Sequence, residues 1–205
     1  MKLVYGVGIN DADYVVGNGT TVCPYYATWK RMLQRVYSTK FHVKNPSYQG
    51  LSVCAEWLRF STFKEWMIQQ PWVGMQLDKD LRQPNAKVYS PSTCAFIPSR
   101  INSLLHDCAA NRGELPIGVY AASAMPLTPY RARVRGLSGV KHLGYFSTPE
   151  HAHVAWCQGK AVAIKETLEW WQIWPEVAHT FHPEIARNLA KIANQLFVKE
   201  LANAY

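Results

Sequence analysis

The chain is short of acid, short of cysteine and free of long apolar runs. Only 14 of its 205 residues are Asp or Glu, against 22 Lys and Arg, so the formal net charge is +8. That balance favours a polyanionic partner, either nucleic acid or an anionic membrane surface. No run approaches 18 consecutive apolar residues, so no transmembrane helix is expected. No basic amphipathic helix is marked, which sets membrane binding behind nucleic acid. The first residues, MKLVYGVGINDADY, carry one Lys and then turn polar and acidic, unlike a secretory signal. The 5 cysteines, at 23, 54, 94, 108 and 157, are odd in number and scattered. They fit reduced thiols in a cytoplasm better than a disulfide framework. No CxxC occurs, so structural zinc is not expected. There are no repeats and no low-complexity tracts.

What is present is a core. Residues of apolar type make up 48% of the chain, enough for one ordinary domain or two small ones. Helical spacing over Tyr26–Ser38 puts Trp29, Met32, Leu33 and Val36 on one face and Lys30, Arg31, Gln34 and Arg35 on the other. Residues 39–52 read as a basic loop. A second helix is expected from Val53 through Met67, broken near Phe60, with Ser61 as a cap for its second part. The aromatics Trp57, Phe60, Phe63 and Trp66 recur every three residues, which points to a buried helical face. Residues 72–80 and 86–97 read as two strands joined by the turn Gln83-Pro84-Asn85, and 98–110 as the helix that follows. Gly113 to Pro116 is a linker.

Three short strands are expected next, at 117–121, 130–135 and 141–146, and then a helix opened by Ser147-Thr148-Pro149-Glu150. A final amphipathic helix over 183–205 carries Ile185, Leu189, Ile192, Leu196 and Leu201. It offers a face for the rest of the protein or for a second subunit, hence a homodimer. The histidines His151, His153, His179 and His182 read as surface residues. The fold class is α+β: an N-terminal helical segment with a ββα unit over 1–112, a small sheet with a helix over 117–175, and the terminal helix over 183–205.

Two stretches carry the functional signal. In the strand 130–135, Arg131, Arg133 and Arg135 alternate with Tyr130, Ala132 and Val134, so three cations share a sheet face without interleaved acid. Such a face fits the major groove of double-stranded DNA, where Arg forks onto guanine or onto phosphates. Lys141 and His142 on the next strand extend it. The other stretch is LDKDLRQPNAKVYSPSTCAFIPSRIN, residues 77–102, with Asp78 and Asp80 at a strand end and Asn102 on the following helix. Hard oxygen ligands of this kind suit a divalent cation such as Mg²⁺.

Residues Gly118-Val119, YRARV at 130–134, HLGYFSTPEHA at 142–152 and Trp156 resemble the plant Apetala/ethylene-response-factor type of DNA-binding domain, which also occurs in phage and mobile-element nucleases. The resemblance implies that the sheet lies in the major groove with Arg131, Arg133, Arg135 and His142 facing the bases. The arginine-rich first strand of the plant family is here GVYAAS. Residues 77–102 in turn resemble the strand–strand–helix unit of HNH-type nucleases. That resemblance implies a metal held by Asp78 and Asn102, and it puts Lys79 where a His base is usual. Lys79 would then serve as base or phosphate-stabilising cation, with Asp80 or His106 as other sources of a base. The expected activity is a metal-dependent DNA endonuclease; the alternative is a DNA-binding regulator that keeps the scaffold without catalysis. The expected location is the cytoplasm, that of a bacterial host if the chain is phage-encoded.

Overall fold

The structure is a computed structural model that describes residues 3–105 and 113–203. It is mixed α+β and divides into two compact units, Met1–Ile97 and Pro98–Tyr205.

The first unit is built on aromatic packing. Helix α1, Pro24–Tyr37, starts on a proline at its first turn and buries Trp29, Met32, Leu33 and Val36, the face its spacing predicts. The Trp29 indole donates to the Trp57 carbonyl at 2.7 Å, so this large ring is buried without leaving its N–H unpaired. Residues 39–52 are not a loop. Ser38 accepts from the Phe41 amide and opens helix α2, Thr39–Lys44. The expected helix from Val53 is instead a short strand β1, Ser52–Val53, a 3-10 turn at Ala55–Leu58, and helix α3, Phe60–Ile68.

Ser61 does not cap α3; Asp11 does, from far away in sequence. Its carboxylate accepts from the Ser61 amide at 2.9 Å and hydroxyl at 2.7 Å, and pairs with Arg59 at 3.1 Å. Burial alone would raise the Asp11 carboxyl, but these bonds outweigh it and hold the pKa below the ordinary value. Trp57, Phe60 and Phe63 are buried in the same cluster as α1, with Trp66 packed on it.

The expected hairpin over 72–97 is also rearranged. Strand β2, Gln76–Asp78, pairs antiparallel with β4, Ala95–Ile97, while β3, Val88–Tyr89, pairs in parallel with β1. The segment between β2 and β4 is thus a long loop pinned to two sheets. The turn at Gln83–Ala86 is as expected, closed by the Ala86 amide on the Gln83 carbonyl at 3.1 Å, with Asn85 at φ 66.

The second unit begins with the short helix α4, Ser99–Asn102. The helix expected to 110 stops there: residues 103–105 form a turn, and 106–110, His106 included, lie outside the described residues. Three antiparallel strands follow in the order β5 (Val119–Ala121), β6 (Tyr130–Gly136) and β7 (Gly139–Phe146). Helix α5, Pro149–Ile173, is capped by Thr148, whose oxygen accepts from the His151 amide at 3.2 Å. It covers the inner face of the sheet, where Val119, Ala132 and Ala152 are buried.

Two glycines set how closely helix and sheet approach. A Cβ on Gly118 would lie 1.9 Å from the Trp156 indole, and Gly118 also sits at φ +80. A Cβ on Gly159 would meet Leu143 at 2.8 Å. His153 is not a surface residue. It is half-buried, donates from Nδ1 to the Ile117 carbonyl at 3.0 Å, and stacks on Trp156. After α6, Pro175–Ala178, helix α7, Pro183–Asn203, buries Ile185, Leu189 and Ala193 and packs against α5. Of the apolar face read from the sequence, Ile185 and Leu189 are thus buried within the chain, Ile192 and Leu196 are half-buried, and the Leu201 side chain lies outside those described.

Candidate nucleic-acid interface and acidic loop

Strand alternation separates β6 into two faces. Ala132 and Val134 are buried under α5, and Arg131, Arg133 and Arg135 take the opposite face. Cross-strand partners share a face, so the register identifies the rest of that surface. Arg131 stands opposite Tyr120 of β5 and Tyr145 of β7; Arg133 stands opposite His142; Arg135 stands opposite Val140. A register shift between Ala132 and Arg133 leaves Leu143 as an extra residue on β7. This bulge decides between two expected contributors. His142 joins the arginines, whereas Lys141 is registered with Val134 and so belongs to the helix side of the sheet. Adjacent strand residues point to opposite faces, so the two expected contributors could not both join the arginine face.

The arginine face combines cations with aromatic rings. Tyr120 and Tyr145 are exposed, and the Arg133 guanidinium lies 4.3 Å over the Tyr120 ring. The His142 and Tyr145 rings are 4.7 Å apart. The Nε atoms of Arg131 and Arg133 are covered yet make no hydrogen bond among the described residues. No carboxylate pairs with any of the three arginines there. An array of this kind can donate several charge-assisted hydrogen bonds to phosphates or base edges. The tyrosines beside it were missed by sequence reasoning, although Tyr120 lies two residues after the Gly118 that carries the resemblance.

The acidic loop belongs to the first unit. Asp78 ends β2; its Oδ2 accepts from the Leu81 amide at 2.8 Å, turning the chain out of the strand. Burial pushes the Asp78 carboxyl above its ordinary pKa, and the neighbouring Asp80 charge adds to the rise, against the bond from Leu81. Lys79 points the other way. Its side chain is 5% exposed, and its ammonium bonds to Asp80 and donates to the Ala86 carbonyl at 3.1 Å, 5.7 Å from the Tyr89 ring. Asp80 itself is exposed, with 62% of its side chain accessible.

The rest of the loop is tied by hydroxyls and one guanidinium. Thr93 donates to the Val88 carbonyl at 2.7 Å, and Arg82 donates to the Pro91 and Cys94 carbonyls at 3.0 and 3.3 Å. Buried Cys94 has its thiol pushed up to about 12, so it is an inert core group. Asn102, expected to complete a metal site with Asp78, ends α4 in the second unit.

The donor chemistry can be judged against the metals. Among the described residues no three His, Cys, Asp or Glu side chains gather as a metal cluster. The two carboxylates Asp78 and Asp80 are hard oxygen donors. Two oxygen donors do not make a zinc site, which needs four protein ligands or three and an open position. Their chemistry is that of Mg²⁺ ligands, and here Asp78 accepts from the Leu81 amide and Asp80 pairs with Lys79.

Comparison with family models, with curated proteins and with solved structures finds no match to the chain. Among the described residues no helix is long and apolar enough to cross a membrane.

Proposed function

We propose that the chain holds double-stranded DNA on the outer face of its three-stranded sheet and acts on that DNA as a divalent-metal-dependent endonuclease of HNH type. The observation that carries the binding half is the face made by Arg131, Arg133, Arg135, His142, Tyr120 and Tyr145, cationic, partly aromatic and without an acid partner among the described residues. A sheet of this width enters the major groove, with arginines reading bases and clamping phosphates.

The cleavage half rests on Asp78 and Asp80 at the end of β2 and on the chain order β2, β4, α4. Asp78 and Asp80 would offer carboxylate oxygens to Mg²⁺. An ion bound there supplies charge neutralisation at the scissile phosphate and the leaving 3′-oxygen. The Asp78 carboxyl, raised by burial, favours a nearby cation, which would restore its charged form.

One observation favours a second reading, in which the chain binds DNA without cutting it and the first unit is a scaffold. Lys79 stands where the resemblance puts the general base, and its ammonium is buried and tied to Asp80 and Ala86. A base must reach the proton it removes. Nicking of supercoiled plasmid in Mg²⁺ or Mn²⁺, against EDTA, separates the two readings. Cleavage by the wild type that is lost in Asp78→Ala supports the nuclease. Binding without nicking in either metal supports the scaffold. Cleavage that persists in Asp78→Ala removes the site assignment.

A further inference from the structure

The second unit contains a cavity of about 260 Å³ among its described residues, between α4, the β6–β7 turn and the middle of α5. Its lining is cationic: Arg100 from α4, Arg135 from β6 and Lys160 from α5 contribute to it, and no Asp or Glu among the described residues does.

Lys160 is the unusual member. It is 9% exposed and has no hydrogen-bond or ion-pair partner among the described residues. A buried ammonium is normally paired, because the desolvated charge is costly on its own. Here burial by itself pushes the pKa down to about 8. The group sits in the buried stripe of α5, between Ala152 and Cys157 on one side and Ala163, Thr167 and Trp171 on the other. A methionine or leucine would serve that stripe better if packing were its only task.

The other cation is pre-positioned. The Arg100 guanidinium donates from Nη1 to the Leu137 carbonyl at 3.0 Å and lies 5.4 Å over the Trp170 ring, which leaves donors of its fork for a ligand. Arg135 is exposed. Thr167 spends its hydroxyl proton on the Ala163 carbonyl at 2.6 Å and keeps lone pairs on the cavity wall. The volume admits a tetrahedral oxyanion together with water, each water taking roughly 30 Å³. One ammonium and two guanidinium groups match a doubly charged oxyanion better than a carboxylate.

We propose that this cavity binds a phosphate group, with Lys160 at its floor, Arg100 as the fixed fork and Arg135 at its edge. The phosphate belongs either to a free phosphate-bearing small molecule or to a backbone position of DNA lying on the sheet, since Arg135 is shared by the cavity and the sheet face. The site does not depend on the sheet being a DNA reader, because the first source serves without it.

The test uses the full chain and inorganic phosphate, with sodium chloride at matched ionic strength to cancel the general stabilising effect of salts. Wild type should gain several degrees of Tm in saturating phosphate over chloride. Lys160→Met should begin with a higher Tm in chloride and gain nothing specific from phosphate. Arg100→Gln, a change at an exposed position, should weaken phosphate about tenfold by calorimetric titration. Equal phosphate gains in wild type and both variants, or no gain in wild type, would overturn the proposal.

A second arm identifies the source in a protein that passes the first. If duplex affinity falls about tenfold in Lys160→Met and the slope of log K against log salt flattens by about 0.9, the phosphate is one of the DNA backbone. Unchanged duplex affinity beside abolished phosphate binding assigns the cavity to a free ligand.

Discussion

Lys79 in the first unit and Lys160 in the second are buried to a similar degree, 5% and 9% exposed, but their charges are met differently. Lys79 has Asp80 and the Ala86 carbonyl at its ammonium, with the Tyr89 ring beside it. Lys160 has none of these among the described residues. The same contrast holds at the surface. In the first unit Arg59 pairs with Asp11. In the second, Arg131, Arg133 and Arg135 line a strand without an acid partner among the described residues. In the first unit two ion pairs hold loops, Arg59 on Asp11 and Lys79 on Asp80. The cations of the sheet face and Lys160 have no such acid partner among the described residues. A net charge of +8 does not say where a polyanion would bind; under the proposed function the pairing pattern points to the second unit.

The largest expected effect tests the lysine contrast. Lys160→Met should stabilise the protein at pH 7 by up to about 3 kcal/mol, because a pKa lowered from 10.5 to about 8 is a penalty on folding. The sign follows from linkage. The penalty is fully present below about pH 8, shrinks as pH rises through the folded value, and is gone above 10.5, so the variant's advantage should vanish at high pH. Denaturant melts of both proteins at pH 7 and pH 10.5 check this. Lys79→Met should do the opposite and cost about 2 kcal/mol at pH 7, by removing the bonds to Asp80 and Ala86. If both variants move stability in the same direction, the contrast fails.

Arg133→Ala should leave stability within about 0.5 kcal/mol, as expected for an outward side chain, while costing about 1–3 kcal/mol of duplex binding. Lys141→Ala supplies the control, since its register opposite Val134 turns it from that face. It should weaken duplex binding less than Arg133→Ala in the same fluorescence-anisotropy titration. The smallest effect is at Asp78. Its raised pKa penalises the charged form above the folded value, so Asp78→Asn should be slightly more stable than wild type at pH 7. That gain should fade as pH falls toward 3.8, where the unfolded carboxyl also takes up its proton. Paired urea melts at pH 7 and pH 4 read the difference.

What could be read from the sequence was what repeats locally. The α1 face and the arginine alternation of β6 are periodic, and Thr148 with Pro149 marks a helix start without help from elsewhere. What could not be read was set across the chain. Asp11 caps α3 from 50 residues away, displacing Ser61 from that role. The Leu143 bulge, which puts His142 rather than Lys141 on the arginine face, lies where Leu143 packs close to Gly159. The loop after Asp78 resembled a hairpin because Val88–Tyr89 has strand residues, but its partner is β1 rather than β2. Lys160 did leave a trace: it lies four residues after Trp156 and seven before Thr167, in line with an otherwise apolar stripe.

If the sheet face of the second unit binds polyanions, as proposed, one titration must show it. Duplex affinity is measured against salt for wild type and for the combined Arg131→Ala, Arg133→Ala, Arg135→Ala variant, with circular dichroism to show that the variant is folded. The account predicts that affinity falls by at least tenfold and that the slope of log K against log salt flattens by about 0.9 for each phosphate the variant no longer neutralises. A folded variant that binds duplex with the wild-type affinity and the wild-type slope would contradict it.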